Sequence, residues 1–378
     1  MKRVILKMAV LLLRIVYIPF KCLSLQDKVT IISRQSVQPT GDILMLADYL
    51  KRQYPDMECR LLSRFIHAGI RGKLAYAPHL LTQMRHLATS KAVVLDGYCI
   101  TACVLNHKPQ TRIIQMWHAL AAIKKFGFQT IGRSSGHSDM VAEIMCMHRN
   151  YDYVLCPSEE TGRIYCEAFR TTPEKLRYLG LPRIDRIMQP QHDAAELRAV
   201  CGIPEDKKIL LYAPTFRKGS AIPIRQMLPA VDPKHFAVVL RVHPLDELTV
   251  TGGEGIDDGP LQVSTGGDFE TYDWMAACDG MITDYSAMAV EFALTGKPLY
   301  FYVYDIDRYE QSTGLNVDPR QELPGACAKT PAELEEILNR AYDCEALSRF
   351  RNRYISIDTN ACTAQLGDYI HGIVKEVH

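Results

Sequence analysis

The feature that most constrains this 378-residue chain is a repeat of short apolar runs alternating with longer helical patterns. A first series comprises Lys28–Ser33 (KVTIIS), Ala92–Asp96 (AVVLD), Arg112–Met116 (RIIQM) and Tyr153–Cys156 (YVLC), with Cys59–Ser63 as a weaker member. A second series comprises Lys208–Tyr212 (KILLY), Ala237–Arg241 (AVVLR), Gly280–Ile282 and Leu299–Tyr302. Runs this uniformly apolar suit strands buried on both faces of a parallel sheet, covered by helices such as those expected over Ile43–Gln53 and Leu74–His86. The expected class is therefore α/β, with two α/β domains facing a cleft, over residues 26–190 and 203–345. Residues 182–206, with three prolines and a glycine, read as a helix plus connector. The segment 346–378 reads as helical and is expected to pack back across the domains.

Composition narrows the function. Lys and Arg number 44 and Asp and Glu 43, a net charge of +1, so no chain-wide basic surface awaits a nucleic acid and none is expected as a partner. Neither GxGxxG nor GxxxxGKS/T occurs, which removes the sequence support for a dinucleotide-fingerprint enzyme or a P-loop ATPase. The twelve cysteines lack the paired spacing of a zinc ribbon and read mostly as buried thiols in a reducing cytosol. His79, His86, His137 and His148 have no metal-ligand spacing, and Asp305-Ile306-Asp307 is too sparse for a metal site.

The first residues, MKRVILKMAVLLLRIVYIPFK, are apolar but interrupted by charge. The unbroken stretch Met8–Leu13 is too short to span a bilayer, which takes about 20 apolar residues. On a helix, Arg3, Lys7, Arg14 and Lys21 fall within about 60° of one another, and Pro19 is expected to end the helix before Lys21. A cationic stripe beside Val4, Leu6, Leu11, Leu12 and Ile15 suits an amphipathic helix over residues 1–25 lying on an anionic membrane surface. Amphipathicity alone also suits docking on the protein's own core.

In open α/β sheets ligands sit beyond the carboxyl ends of the strands, and those ends carry the candidate residues. Ile282-Thr283-Asp284-Tyr285-Ser286 runs into a helical pattern from about Ser286. Its free N–H groups, with the Thr283 and Ser286 hydroxyls and the Ala287 N–H, would seat phosphate oxygens or simply cap a helix. Tyr212-Ala213-Pro214-Thr215-Phe216-Arg217 offers a hydroxyl and a guanidinium at a second strand end, a phosphate grip or an ordinary salt bridge. Arg241-Val242-His243-Pro244 offers a histidine that can donate to a diphosphate or protonate a leaving phosphate. Trp117-His118-Ala119 places a candidate general base in the first domain, with a packed core histidine as the alternative. Lys124, Lys125, Phe126 and Phe128 suit a lipid headgroup or a solvated helix end.

As an ordered set, these segments resemble the CDP-glycerol glycerophosphotransferase family of wall teichoic acid synthesis. The resemblance rests on Trp117-His118-Ala119, Tyr212–Arg217, Arg241–Pro244, Ile282–Ser286, Asp305-Ile306-Asp307-Arg308-Tyr309, Gly314–Asp318 and Leu323-Pro324-Gly325. It implies a GT-B-like arrangement of two Rossmann-like domains facing a central cleft, in a peripheral enzyme on the cytoplasmic face of the cell membrane. The implied activity moves glycerol phosphate or ribitol phosphate from CDP-glycerol or CDP-ribitol to a hydroxyl of a lipid-linked glycan acceptor, releasing CMP. His118 and His243 match the family's important histidines, and Thr215, Arg217, His243, Thr283 and Ser286 resemble its donor site, with Arg241 and Ala287 as further candidate substrate-binding residues. No cofactor is called for, and Mg²⁺ is compatible with the set. A nucleotide-sugar glycosyltransferase or a noncatalytic nucleotide- or lipid-binding protein are the alternative readings. The family's WHG and TDYSS segments appear here as WHA and TDYSA, which changes a loop expected near the acceptor and removes one hydroxyl.

Overall fold

The computed structural model describes residues 1–34, 39, 41–66, 69–134, 136, 138–215, 224–242 and 261–376. The chain forms two compact units. One comprises Met1–Leu120, Phe126–Asp185 and Ser356–His378, the other Ala121–Lys125 and Arg186–Ile355.

The first unit holds strands β1 (Gln26–Ser33), β2 (Glu58–Ser63), β3 (Ser90–Leu95), β4 (Arg112–Gln115), β5 (Tyr153–Cys156) and β6 (Leu176–Tyr178). They pair in the order β2-β1-β3-β4-β5-β6, all parallel, with Ile31 opposite both Leu61 and Val94. The second unit holds β7 (Lys208–Tyr212), β8 (Phe236–Leu240), β9 (Val263–Ser264), β10 (Gly280–Thr283), β11 (Leu299–Tyr302) and β12 (Cys327–Ala328). Their order is β12-β11-β10-β7-β8-β9, again all parallel. The central strands are apolar on both faces: Val29, Ile31, Val93, Ile114, Leu211, Val239, Met281, Ile282 and Phe301 are all buried. Every strand expected from the apolar runs is present. The short strands β6, β9 and β12, of two or three residues, carry too little pattern to be read from sequence.

Strand order reverses between β1 and β3 in the first sheet and between β7 and β10 in the second. At such a point neighbouring strands send their connections to opposite sides, opening a crevice at their carboxyl ends.

The helix Cys362–Glu376 packs on the helix Gly41–Gln53 and on β1 and β3 of the first unit. Asp185 receives its first turn, accepting from Cys362 N–H (2.7 Å) and Thr363 N–H (2.8 Å). Gly367 lies against Tyr49, whose ring would meet an added Cβ at 2.4 Å, so this close approach needs glycine.

The N-terminal helix spans Lys2–Lys21 and runs through Pro19 rather than ending before Lys21. Proline at this depth removes one N–H from a last turn that is already finishing, and Cys22 and Leu23 N–H close it onto the Pro19 and Phe20 carbonyls. The helix has two apolar faces. Val10 and Tyr17 are buried against the first unit, where Arg14 Nε donates to the Val104 carbonyl (2.9 Å). Arg14 thus turns toward the protein and leaves the cationic stripe. Val4, Ile5, Met8, Leu11, Leu12, Ile15 and Ile18 face outward, each 53–64% exposed. No helix among the described residues is long and apolar enough to cross a membrane.

His107 anchors this helix. Its Nε2 meets the Ala102 carbonyl (2.7 Å), so Nε2 carries the proton and Nδ1 accepts from the Tyr17 hydroxyl (3.2 Å). Burial pushes the His107 pKa down from 6.5 to about 4. The unfolded chain therefore takes up a proton that the folded chain refuses, and this part of the stability is full above pH 6.5 and lost as the pH falls toward about 4. In urea unfolding, the wild-type midpoint is expected to fall more steeply than that of His107→Asn as the pH drops from about 7 to about 5. Parallel slopes would remove His107 from the anchor.

Candidate active site

The β7/β10 crevice is built from two strand ends joined by hydrogen bonds. Ala213 N–H donates to the Ile282 carbonyl (3.0 Å), and Thr283 Oγ1–H donates to the Ala213 carbonyl (2.6 Å). Asp284 Oδ1 accepts from both Thr215 N–H and Tyr285 N–H, each at 2.7 Å. Of the sequence-derived candidates, Thr215, Thr283, Ser286 and Ala287 thus come from two adjacent strand ends. Thr283 is fully buried with its donor committed to β7, so it fastens the crevice. Thr215 is 4% exposed, and its Oγ1 is buried without a hydrogen-bond partner. An orphaned hydroxyl at a switch point is the group a ligand would satisfy, since leaving it unpaired costs about 1–3 kcal/mol.

Ser286 Oγ accepts from Met288 N–H (3.3 Å), and the helix expected from about Ser286 is only the five-residue turn Met288–Phe292, continued as 3₁₀ to Thr295. Gly296, in a left-handed conformation, stops it. A helix this short contributes local N–H groups more than a macrodipole. Arg241 lies at the end of β8, where its guanidinium donates to the Thr265 carbonyl (2.9 Å) and reaches Gly267 and Thr271, holding the loop after β9. Arg217 and His243 lie outside the described residues.

The DxDxY segment supports this crevice from behind. Tyr285, fully buried, donates to Asp305 Oδ1 (3.1 Å) and stacks on Tyr309 with ring centroids 4.0 Å apart. Asp307 instead faces solvent near Arg320 and Lys329. Among the described residues, no group of three or more His, Cys, Asp and Glu side chains is placed to hold a metal ion.

In the first unit, His118 follows β4 on a strained turn. Trp117 adopts φ +62°, a left-handed conformation that costs a non-glycine residue about 1–3 kcal/mol. Two features offset it. The buried Gln115 side chain accepts from Trp117 N–H (2.9 Å) and donates to the Gly97 carbonyl (3.1 Å). The Trp117 ring stacks on Phe126 (4.8 Å) and meets Phe169 edge-on (5.2 Å). Ala119 has no positive φ, so alanine replaces the family's glycine there without strain.

His118 itself is exposed, and its Nδ1 lies 2.9 Å from the Asp96 carbonyl. A carbonyl can only accept, so Nδ1 carries the proton and the neutral ring has its lone pair on Nε2. That is the tautomer a general base needs.

Lys124, Lys125, Phe126 and Phe128 do not lie on an α-helix end. Lys124 bridges to Leu315 and Lys125 N–H donates to the Gly314 carbonyl within the second unit. Phe126 stacks on Trp117, and Phe128 lies under the Arg170 guanidinium (4.0 Å). Sequence reading also missed Gln115 and Asp96. Asp96 closes an apolar strand as His118 does, and the same strand-end criterion selects it.

Two parallel doubly wound sheets, each with a polar crevice at its switch point, define a GT-B-like fold. The chain belongs to the CDP-glycerol:poly(glycerophosphate) glycerophosphotransferase family, whose model matches residues 16–372. It is 31% identical over 357 residues to the teichoic acid ribitol-phosphate primase of Bacillus spizizenii, covering 91% of this chain and 90% of the primase. It is 26% identical over 305 residues to the teichoic acid glycerol-phosphate primase of Bacillus subtilis, covering 79% of this chain and 77% of that one. The wall teichoic acid polymerase TagF shares the fold, with a TM-score of 0.73 at 19% identity over 99% of this chain and 97% of that structure.

Asp284 offers a direct test of the crevice. Asp284→Ala leaves two buried N–H groups without an acceptor, at about 1–3 kcal/mol each, so thermal unfolding is expected at a clearly lower temperature. Asp284→Asn keeps an acceptor oxygen and is expected to melt much closer to wild type. Equal melting of the two variants would show that these hydrogen bonds do not fasten β7 to β10.

Proposed function

We propose that the protein transfers a polyol phosphate from a CDP-activated polyol to a hydroxyl of a lipid-linked acceptor, releasing CMP, at the cytoplasmic face of the cell membrane. The observation that carries the chemistry is the exposed His118, whose Nδ1–H is committed to the Asp96 carbonyl, in a chain of this family. The acceptor oxygen attacks the polyol-bearing phosphorus and the new P–O bond forms. The P–O bond to CMP breaks, and the acceptor proton passes to His118 Nε2. Direct displacement needs positioning and charge balance, not an enzyme nucleophile.

The second unit receives the donor. Thr215, with its unpaired hydroxyl, and the N–H groups around Ser286 and Ala287 meet the diphosphate. Arg217 and His243, carried over from the family pattern, balance the charge of departing CMP. One primase relative is named for ribitol phosphate and another for glycerol phosphate, so both donors enter the test. The alignment covers 90% of the ribitol-phosphate primase and 57% of the poly(ribitol-phosphate) polymerase from the same organism.

The outward face of the N-terminal helix supports membrane attachment. Seven large apolar side chains stand more than half exposed, with Lys2, Arg3, Lys7 and Lys21 also exposed. An apolar face with cationic side chains inserts shallowly into an anionic monolayer.

The central experiment is CMP release from CDP-ribitol and CDP-glycerol with a membrane lipid extract as acceptor. The expected result is acceptor-dependent CMP with a mass gain of one polyol phosphate on a lipid. His118→Ala is expected to lower turnover by about 10²–10⁴-fold while donor affinity holds, and retained turnover would remove the base role. Wild-type protein is expected to sediment with phosphatidylglycerol vesicles, and Leu11→Glu combined with Leu12→Glu to stay in the supernatant. Equal sedimentation would move the attachment elsewhere.

A further inference from the structure

The first unit has its own switch-point crevice, between the ends of β1 and β3, and its polar lining has no part in the scheme above except through the Asp96 carbonyl. β1 ends at Ser33 and β3 runs into Asp96, which is 3% exposed. Ser33 Oγ–H donates to Asp96 Oδ2 (2.6 Å), and the Arg34 backbone N–H also bonds this carboxylate. Arg34 Nη1 donates to the Tyr98 carbonyl (2.7 Å), while Arg34 Nε is buried with no hydrogen-bond partner. Burial pushes the Asp96 pKa up to about 6, against the lowering effect of the Ser33 bond. The crevice thus combines an orphaned guanidinium donor with a poorly solvated carboxylate.

That combination selects a ligand class. An alcohol is both donor and acceptor: its O–H satisfies the carboxylate and its oxygen takes the guanidinium N–H. A phosphate satisfies the guanidinium but is repelled by Asp96. The crevice also adjoins the catalytic candidate, because the Asp96 carbonyl holds His118 Nδ1.

We propose that the β1/β3 crevice of the first unit binds the hydroxyl-bearing end of the acceptor, a neutral polyol, with Arg34 and Asp96 as the recognising pair. This deepens the transfer reading and rests on it for the word acceptor, but polyol binding is measured without turnover. A hydroxyl held there lies in the same unit as His118, next to the strand end whose carbonyl bonds Nδ1. Asp96 then serves twice, its carboxylate orienting the alcohol and its carbonyl setting the histidine tautomer.

The test is saturation-transfer NMR on the full chain with free ribitol and free glycerol as probes, and inorganic phosphate as competitor. Wild type is expected to bind the polyols, with phosphate failing to displace them. Asp96→Asn and Arg34→Gln are each expected to weaken binding by about tenfold or more, as loss of a hydrogen bond to a charged partner does. Arg34 is the less buried of the two, so Arg34→Gln reports even where Asp96→Asn perturbs folding. Unchanged CDP affinity in both variants shows that the second unit is intact. His118→Ala is expected to keep polyol binding. Absence of polyol binding by wild type, displacement by phosphate, or wild-type binding by Arg34→Gln would each overturn the proposal. The transfer reading fails separately, through absence of CMP release.

Discussion

Each unit depends on how its sheet is fastened where strand order reverses. There the two neighbouring strands come from distant parts of the chain, and their connections leave on opposite sides. Thr283 to Ala213 and Asp284 to Thr215 join segments about 70 residues apart in the second unit. Ser33 to Asp96 joins segments 63 residues apart in the first. The fastening must be polar, because the strand ends carry N–H and C=O groups that lose their ladder partners as the strands diverge. A fold that has to place polar groups at these two points has already assembled most of a binding site. Thr215 Oγ1 in one crevice and Arg34 Nε in the other stay buried without a hydrogen-bond partner, and the proposed donor and acceptor sites rest on these two atoms.

The His118 turn shows how strain is borne around such a site. A left-handed tryptophan is unfavourable by itself, yet Gln115 fixes the backbone on both sides of the turn and the indole gains two aromatic neighbours. Packing an aromatic pair contributes about 0.5–1.5 kcal/mol beyond area burial, comparable with the strain. The histidine that follows stays exposed, so the support is spent on its neighbour and its ring remains accessible to solvent.

The N-terminal helix resolves an ambiguity of amphipathic sequences. Its apolar residues are too many for one stripe, and they divide between a face packed on the first unit and a face left outside. Arg14 follows the inner face, where the Val104 carbonyl takes its charge-assisted bond. Docking on the protein and presenting an apolar surface are properties of opposite sides of one helix.

The sequence by itself determined the α/β class and the central strands of both sheets. Uniformly apolar runs have one stable use, burial on both faces of a parallel sheet, and the ordered motifs identify the family. The short edge strands were not legible, because two or three residues have no periodicity. The order of strands was not legible either, since lateral pairing joins segments whose spacing along the chain carries no signal. Only the tertiary structure therefore decided that β7 lies beside β10, giving Thr215 and Asp284 a common crevice. It likewise decided that Arg14 turns inward, and that Asp96, read only as the end of a strand, holds His118 by its carbonyl and Ser33 by its carboxylate. Each of these is a contact across many residues, and hydrogen bonds of that kind depend on where the backbone has been carried, which local pattern does not encode.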